Sequence, residues 1–214
     1  AGTIDRIKND SFLEHNYKNV LINAKGRIIV SAYSSDLSRI QKIINMSVER
    51  GKRIAIIGGG ASGLAAAIES KRQAKKLNID LSVTVFEHLS KCAKKILATG
   101  NGRCNFCNTE INENNYYGDS DFINNVLKCE FNDTLGFFKS LGVLPYIENN
   151  RVYPRSEQAA SIRDALLKTC EILNIRIFTE AKIIDLKCKN NEFIINNTNF
   201  NAVIVATGGK SQEV

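Results

Sequence analysis

One stretch of the chain decides the fold: residues 53–87 read RIAII-GGGASG-LAAAIESKRQAKKLNIDLS-VTVFE. The run 53–57 is apolar enough for a buried parallel strand, and the run 83–86 is a second one. Between them, Gly58, Gly60 and Gly63 give the spacing G-x-G-x-x-G at the point where a helix has to begin. This order of strand, glycine turn, helix and strand predicts a dinucleotide-binding unit.

The glycine turn has separate physical requirements at its three positions. The first glycine makes the tight turn, the second lets the backbone approach a pyrophosphate, and the third lets the helix pack closely on the strand. Unpaired amides at the helix N-terminus, near Ala61 and Ser62, then hold the anion. Glu87 follows at the spacing of an acid that accepts from a ribose 2′-hydroxyl. Because a carboxylate disfavours a 2′-phosphate, the expected dinucleotide is FAD or NAD rather than NADP.

Composition is typical of a globular protein of one or two domains, with 214 residues of which 43% are hydrophobic. No apolar run is long enough to span a bilayer, and the N-terminus lacks the apolar core of a signal peptide. We therefore expect a cytoplasmic protein without a membrane partner. The six cysteines have irregular spacing, which favours reduced thiols over a disulfide framework.

The formal net charge of +7 raises the question of a nucleic-acid partner. Residues 1–45 hold seven Lys and Arg against four Asp and Glu, so +3 of this charge lies there. The basic run 71–76 is at the end of the predicted first helix, where cations complement the helix dipole. Charge alone thus permits RNA as a partner without demonstrating it.

We expect two parts: an N-terminal extension of unknown role at 1–45, and a dinucleotide-binding domain at 46–214 with a helical segment at about 110–173. Met46, the only methionine, is a candidate natural start of that domain. In the extension, 19–22 and 27–32 are typical of a strand hairpin, and a helix begins near Ser35.

The rest of the domain predicts an α/β fold, Rossmann-like, with a parallel central sheet, an antiparallel β hairpin and a helical insertion. We expect helices within 122–141, ending near Gly142, and at 158–173, then strands at 176–179, 182–188, 192–196 and 202–205. The pair 182–188 and 192–196 is the expected hairpin.

Two segments resemble known flavoproteins. Thr198, the apolar strand 202–205 and the ATG at 206–208 resemble the second fingerprint of two-dinucleotide-fold flavoproteins, which selects FAD over NAD. More specific is KKILATGNGRCNFCN at 94–108, which resembles the signature of the BaiN/YhiN-type family of FAD-dependent oxidoreductases. RVYPRSEQAA at 151–160 and ATGGKS at 206–211 also match that family, so the resemblance covers 46–211.

The glycine unit and the resemblance together give a set of expected FAD contacts. They are Gly58, Gly60, Ala61, Ser62, Gly63, Glu87, His88, Lys95, Thr99, Gly100, Asn101, Gly102, Arg103, Asn105, Ala181, Ala206, Thr207 and Gly208. The sequence departs from the family at Ala93, where glycine is usual, and at Cys107, where threonine is usual. Family members also have a substrate domain and a C-terminal glycine-rich segment over the flavin. Since this chain stops at Val214, it is expected to form half of the pocket.

The resemblance implies reduction of a carbon–carbon double bond conjugated to a carbonyl. One branch of the family is linked to dihydrouridine in ribosomal RNA and another to bile-acid enones. NAD(P)H would reduce FAD, flavin N5 would deliver hydride to the β-carbon, and an acid would protonate the α-carbon. We take Cys104 as a hypothesis for that acid, because a thiol near a cation titrates in a useful range, and Arg103 as the cation that stabilises reduced flavin.

Four alternatives stay open from the sequence. Arg103 could form a structural salt bridge in an ordinary loop. Cys104 and Cys107 form C-x-x-C, which suits a flavin-linked dithiol/disulfide reductase. With His88 and Cys92 the same pair could bind zinc, although the spacing is unequal and we expect no metal. The chain could also be a non-catalytic FAD-binding fragment.

Overall fold

A parallel five-stranded sheet forms the centre of the molecule in the computed structural model, which describes residues 30–31, 53–111, 131–189 and 192–208. Its strands, in spatial order, are β1 (Val30–Ser31), β11 (Ala202–Val205), β2 (Arg53–Ile57), β3 (Ser82–Phe86) and β7 (Arg176–Phe178). Counted along the chain from β2, the four strands β7, β3, β2 and β11 have the spatial order 3-2-1-4 that is typical of a Rossmann-like fold. This confirms the predicted Rossmann-like class.

Strands β2 and β3 and the helix α1 (Ala61–Lys76) between them form the predicted unit. Both strands are buried except at their ends, as the apolar runs predict, and Ile54 lies opposite Val83 in parallel register. The buried face of α1 consists mainly of small residues, so the helix axis can approach the sheet closely. Lys75 and Lys76 in the last turn complement the helix dipole.

Helix α4 (Ala159–Ile172) packs beside α1 and confirms the prediction at 158–173. Its buried positions Ile162, Leu166 and Cys170 keep helical spacing and join the main hydrophobic core. Asn174, with φ of 53°, ends the helix in a left-handed conformation before the chain returns to the sheet as β7.

A second sheet is antiparallel and has the order β10 (Thr198–Phe200), β9 (Glu192–Ile195) and β8 (Leu186–Lys189). The β8–β9 pair confirms the expected hairpin, and β10 adds a third strand. Buried residues Phe193, Ile195 and Phe200 pack against the central sheet in a separate core cluster. This layer supports β2 and β11 from one side.

A third sheet, also antiparallel, was not predicted from the sequence. It consists of β4 (Cys107–Asn108), β6 (Arg151–Pro154) and β5 (Pro145–Glu148), in that order. The strands have two to four residues, too few to show an alternating pattern, and β4 pairs with a strand more than forty residues away. The only local signal for the β5–β6 hairpin was the dipeptide Asn149-Asn150. Both residues adopt positive φ in the turn.

The N-terminal expectations fall mostly outside the described residues. Strand β1 is the exception: it lies within the expected extension, and it pairs in parallel with β11 at the edge of the central sheet. Helix α3 (Phe131–Ser140) accounts for the second half of the helical prediction at 122–141, and Gly142 follows it with φ of 84°. Across the described residues, no helix is both long and apolar enough to cross a membrane.

Candidate dinucleotide site

The first and third glycines of the turn are required by the fold itself. Gly58 has φ of 107°, and its N–H donates to the carbonyl of Phe86 over 2.8 Å. A side chain there would run into the carbonyl oxygen of Ala206, and one at Gly63 would run into the carbonyl oxygen of Gly58. The strand β2, the helix α1 and the strand β11 therefore meet with no space for a Cβ atom.

Gly60 behaves differently. It is the N-cap of α1 with φ of −77° and ψ of −173°, a conformation open to any residue, and a Cβ atom built there meets nothing within 4 Å. No side chain caps the helix, and the first turn contains no acid. The next residues, Ala61 and Ser62, are exposed and half-buried. Because the fold does not need a glycine at this position, the open space fits a ligand that approaches the backbone and the free amides.

Glu87 is a buried carboxylate held by backbone amides at the end of β3. Its Oε2 accepts from Gly59 N–H over 2.7 Å, and its Oε1 accepts from Leu89 N–H over 2.9 Å. The exposed ring of His88 places Nδ1 2.9 Å from the same Oε1. A carboxylate has about four lone-pair positions. Among the described contacts, Oε2 thus keeps acceptor capacity for a ligand hydroxyl, as the ribose prediction requires.

The remaining residues that are predicted to contact the nucleotide half of FAD lie around this turn. Ala206 N–H donates to the carbonyl of Ile57 over 2.8 Å, which continues the pairing of β11 with β2 and leads to exposed Thr207 and Gly208. Ala181 N–H donates to the carbonyl of Glu87 over 2.8 Å. All these groups lie past the carboxyl ends of parallel strands, where open α/β sheets bind ligands.

The family signature begins beside the same turn. Helix α2 (Lys94–Ala98) follows Ala93, whose N–H donates to the carbonyl of Gly59 over 2.8 Å. Lys95 on this helix is exposed. Ala93 has φ of 57°, in the left-handed region, which gives a physical reason for the glycine that the family usually has there.

The loop 99–105, which we call the flavin loop, is tight and presents its backbone outward. Gly100, Asn101 and Gly102 have φ of 54°, 54° and 80° in succession. A Cβ atom on Gly100 would lie 2.6 Å from the amide nitrogen of Asn105, so this turn tolerates only glycine. The predicted contacts in the loop other than Arg103 are exposed: Thr99, Gly100, Asn101, Gly102 and Asn105. A flat ligand could lie against this backbone.

Arg103 forms ion pairs in this structure. Its Nη1 lies 2.8 Å from Glu148 Oε2, its Nη2 lies 2.9 Å from Glu157 Oε2, and its guanidinium stacks over Tyr153 with 4.0 Å to the ring centroid. The hydrogen bond with Glu148 raises the pKa of Arg103 further above its already high value. The salt bridge considered from the sequence is thus present, and contact with flavin stays a prediction.

Cys104 is buried, with φ of 60°. Burial raises the pKa of its thiol, and a hydrogen bond with Thr99 only partly offsets this. The direction is opposite to the one expected for a thiol beside a free cation. Burial also raises the pKa of Cys107, and both residues are free thiols. Fewer thiolates at neutral pH make the pair poorly suited to dithiol exchange.

The zinc alternative has no geometric support. His88, Cys92, Cys104 and Cys107 are all described, yet no group of three or more His, Cys, Asp or Glu side chains among the described residues is placed to hold a metal ion. Cys92 is instead packed in the core, and burial followed by the charge of Glu87 raises its pKa to about 11.

Sequence reasoning missed several residues of the site. Gly59 supplies the amide that holds Glu87, and Cys92 Sγ leaves no room for a side chain on Gly59. Glu148, Tyr153 and Glu157 surround Arg103. The middle glycine of the run GGG was the only local signal for Gly59 and Cys92, and nothing near Arg103 in sequence identifies Glu148, Tyr153 and Glu157.

The comparisons with known proteins identify a family and two relatives. The model of the HI0933-like protein Rossmann domain matches residues 52–213. A 3-dehydro-bile acid delta(4,6)-reductase of Clostridium scindens is 41% identical over 167 residues, which are 75% of this chain and 40% of the relative. A ribosomal RNA dihydrouridine synthase of Haemophilus influenzae is 29% identical over 166 residues, 73% of this chain and 40% of the relative.

A solved structure of an NAD-dependent persulfide reductase from A. fulgidus aligns with a TM-score of 0.39 and 16% identity, over 86% of this chain and 24% of the other. That similarity is too low to support a functional conclusion.

Fold and site together define an FAD-binding Rossmann-like domain. The chain belongs to the HI0933-like family, a family of flavin-dependent oxidoreductases. It spans 40% of the length of each of the two relatives.

Proposed function

We propose that this chain is the FAD-binding part of an NAD(P)H-dependent oxidoreductase that reduces a carbon–carbon double bond conjugated to a carbonyl. A uracil base of ribosomal RNA is one such substrate and a steroid enone is another. The names of the two relatives support this class, because dihydrouridine and a reduced delta(4,6) bile acid both arise by adding two hydrogens to a conjugated double bond.

The open space over Gly60 is the observation that carries the proposal. It places the free amides of α1 where a pyrophosphate can reach them, and buried Glu87 lies across the same turn with acceptor capacity for a ribose hydroxyl. Bound FAD would supply hydride chemistry that no side chain can perform. The protein would bind and orient it.

Different residues of the chain would bind different parts of FAD and supply the proton. The α1 amides and Glu87 would bind the nucleotide half, and the exposed backbone of the flavin loop would lie against the ring system. Cys104 would hold a proton next to the reacting bond. Burial raises the pKa of Cys104, which favours the protonated thiol that a proton donor requires.

Flavin binding is tested by Gly60→Ala. We expect wild type to bind FAD in equimolar amount, and Gly60→Ala to bind at least about tenfold more weakly, because the new methyl group occupies the ligand's approach. The free energy of unfolding should change by less than about 1 kcal/mol, the cost of a poorer N-cap. The measurements are flavin absorbance with bound-ligand stoichiometry and urea denaturation.

Gly136→Ala is the matched control, since Gly136 is an exposed helical glycine of α3 with open space around it. It should bind FAD like wild type. A wild-type protein that binds no flavin would disprove the proposal, whereas equal binding by Gly60→Ala would mean that the pyrophosphate lies elsewhere.

The reaction is tested by single-turnover oxidation of the reduced flavoprotein, with unmodified ribosomal RNA and a steroid enone as separate substrates. We expect Cys104→Ser to slow this oxidation by about 10²-fold or more, the usual contribution of a general acid, with flavin reduction by NAD(P)H unchanged. An unchanged rate would exclude Cys104 as the proton donor. No oxidation by either substrate, in a protein that also contains the part of the relatives that this chain does not span, would contradict the proposed reaction class.

A further inference from the structure

Arg103 contacts three residues of the segment 148–157, which lies more than forty positions further along the chain. Glu148 lies at the end of β5, Tyr153 lies in β6, and Glu157 lies in the turn before α4. All three converge on one guanidinium, through two ion pairs of 2.8 and 2.9 Å and a ring contact of 4.0 Å. We call this set the arginine clamp, and the proposed function does not use its two carboxylates.

The net charge of the arginine clamp is not positive. Two carboxylates face one guanidinium, so the group as a whole is negative when all three are ionised. Arg103 is only partly exposed, which limits screening by water. A nearby flavin would therefore meet a neutralised arginine rather than a free positive charge.

The guanidinium also has unused donors. Nε is buried without an acceptor among the described residues, and Nη2 lies near Glu157 without hydrogen-bond geometry. A buried donor left unpaired costs about 1–3 kcal/mol. Stacking on Tyr153 and the bond to Glu148 hold the plane of Arg103 in spite of this cost.

The backbone around Arg103 has a conformation that needs to be held by contacts such as those of the arginine clamp. Gly100, Asn101 and Gly102 precede it and Cys104 follows it, all with positive φ. Conformations of this kind cost about 1–3 kcal/mol each in residues other than glycine, and they persist only where the surroundings fix them. The side chains of the arginine clamp hold the flavin loop against the β5–β6 hairpin.

We propose that Glu148 and Glu157 are positioning residues for the flavin: they hold Arg103 against Tyr153, keep the flavin loop in its receiving shape, and neutralise the charge of Arg103. This inference rests on the proposed FAD binding. It assigns a role to two carboxylates that neither contact the nucleotide half nor follow from the signature sequence.

The test uses Glu148→Gln and Glu157→Gln, with Glu171→Gln as control, because Glu171 is an exposed carboxylate paired with Lys168 on the outer face of α4. We expect each clamp variant to bind FAD about fivefold to tenfold more weakly. The midpoint potential of bound flavin should become less negative, since removing a carboxylate leaves Arg103 more cationic and favours reduced flavin. Glu171→Gln should match wild type in both measurements.

A double-mutant cycle shows whether Glu148 acts through Arg103. In an Arg103→Met background, Glu148→Gln should change the FAD dissociation constant by less than about twofold. A full additional loss in that background would overturn the inference, as would wild-type affinity and potential in both single clamp variants. A wild-type protein that binds no FAD would overturn the proposed function together with the clamp, so the two failures are distinguishable.

Discussion

Ala93 has a conformation that side chains rarely adopt. It is 3% exposed, its φ and ψ are 57° and 25°, and its amide joins α2 to the glycine turn. A left-handed residue other than glycine costs roughly 1–2 kcal/mol. The alanine fills a small space in the core at the expense of backbone strain.

We predict that Ala93→Gly changes the free energy of unfolding by less than about 1 kcal/mol. Relief of the strained backbone should offset both the buried methyl group, worth about 0.8 kcal/mol, and the greater entropy of glycine when unfolded, worth about 0.5–1 kcal/mol. Ala66→Gly is the control, because Ala66 is fully buried inside α1 and has no strain to relieve. It should cost about 1–2 kcal/mol. Equal losses in urea denaturation would contradict the explanation.

At single residues, the sequence predicted the nucleotide half better than the flavin half. Glu87 follows its glycine turn at a fixed spacing set by one strand and one helix, so its place was readable. Arg103 was found by resemblance, but its partners were not. Glu148 and Glu157 lie more than forty residues after Arg103 in the chain. No local pattern connects a loop arginine to a particular distant carboxylate.

Among the elements, the β5–β6 hairpin has the clearest local determinant. Asn149 and Asn150 have φ of 48° and 63°, which matches a two-residue turn with positive φ at both central positions. The hairpin presents Glu148 and Tyr153 to Arg103. Its turn therefore affects the shape of the candidate site as well as stability.

We predict opposite effects for two substitutions at Asn150. Asn150→Gly should be neutral or stabilise the protein by up to about 1 kcal/mol, because glycine is favoured at this position of the turn. Asn150→Val should destabilise it by about 1–3 kcal/mol, since a β-branched residue resists positive φ. Thermal unfolding of both variants measures the difference. Similar melting temperatures would mean that the turn conformation is not needed.

Most elements were predicted from the sequence, including the short strands β7, β9 and β11, whereas the strands β4, β5 and β6 of the third sheet were not. The strands β2 and β3 and the helices α1 and α4 have enough residues for hydrophobic periodicity to appear, and each formed close to its predicted bounds. Strand β4 has two residues and exists only because Cys107 pairs with Val152. Its stability comes from tertiary contacts, which a local pattern does not contain.

At the scale of the whole molecule, the main core contains ionisable thiols. Burial raises the pKa of Cys92 to about 11, and burial followed by the charge of Cys92 raises that of Cys170 to about 12. Both side chains are in the same hydrophobic cluster. The folded core therefore keeps these two thiols protonated at alkaline pH values at which the same thiols lose their protons in the unfolded chain.

We predict that the free energy of unfolding is insensitive to these thiols below about pH 8 and falls from about pH 9 to pH 11. The sign follows because the unfolded thiols lose their protons first, so the folded state binds more protons in this range. Each thiol contributes up to about 1.4 kcal/mol per pH unit. Cys170→Ala should be less stable overall but should show a shallower alkaline slope. An unchanged slope in urea denaturation at several pH values would contradict this.

The position of β11 between β1 and β2 has a consequence for synthesis. Ala202 pairs with Ile54, so the centre of the sheet joins segments about 150 residues apart, and the second partner is translated well after the first. Domains emerge from the ribosome at about 5–20 residues per second. The edge of β2 that later pairs with β11 therefore stays unpaired for about 7–30 s, during which chaperones can bind it. Ala206, which forms one wall of the Gly58 turn, is also translated after β2 and β3, so the nucleotide pocket can close only after β11 has docked.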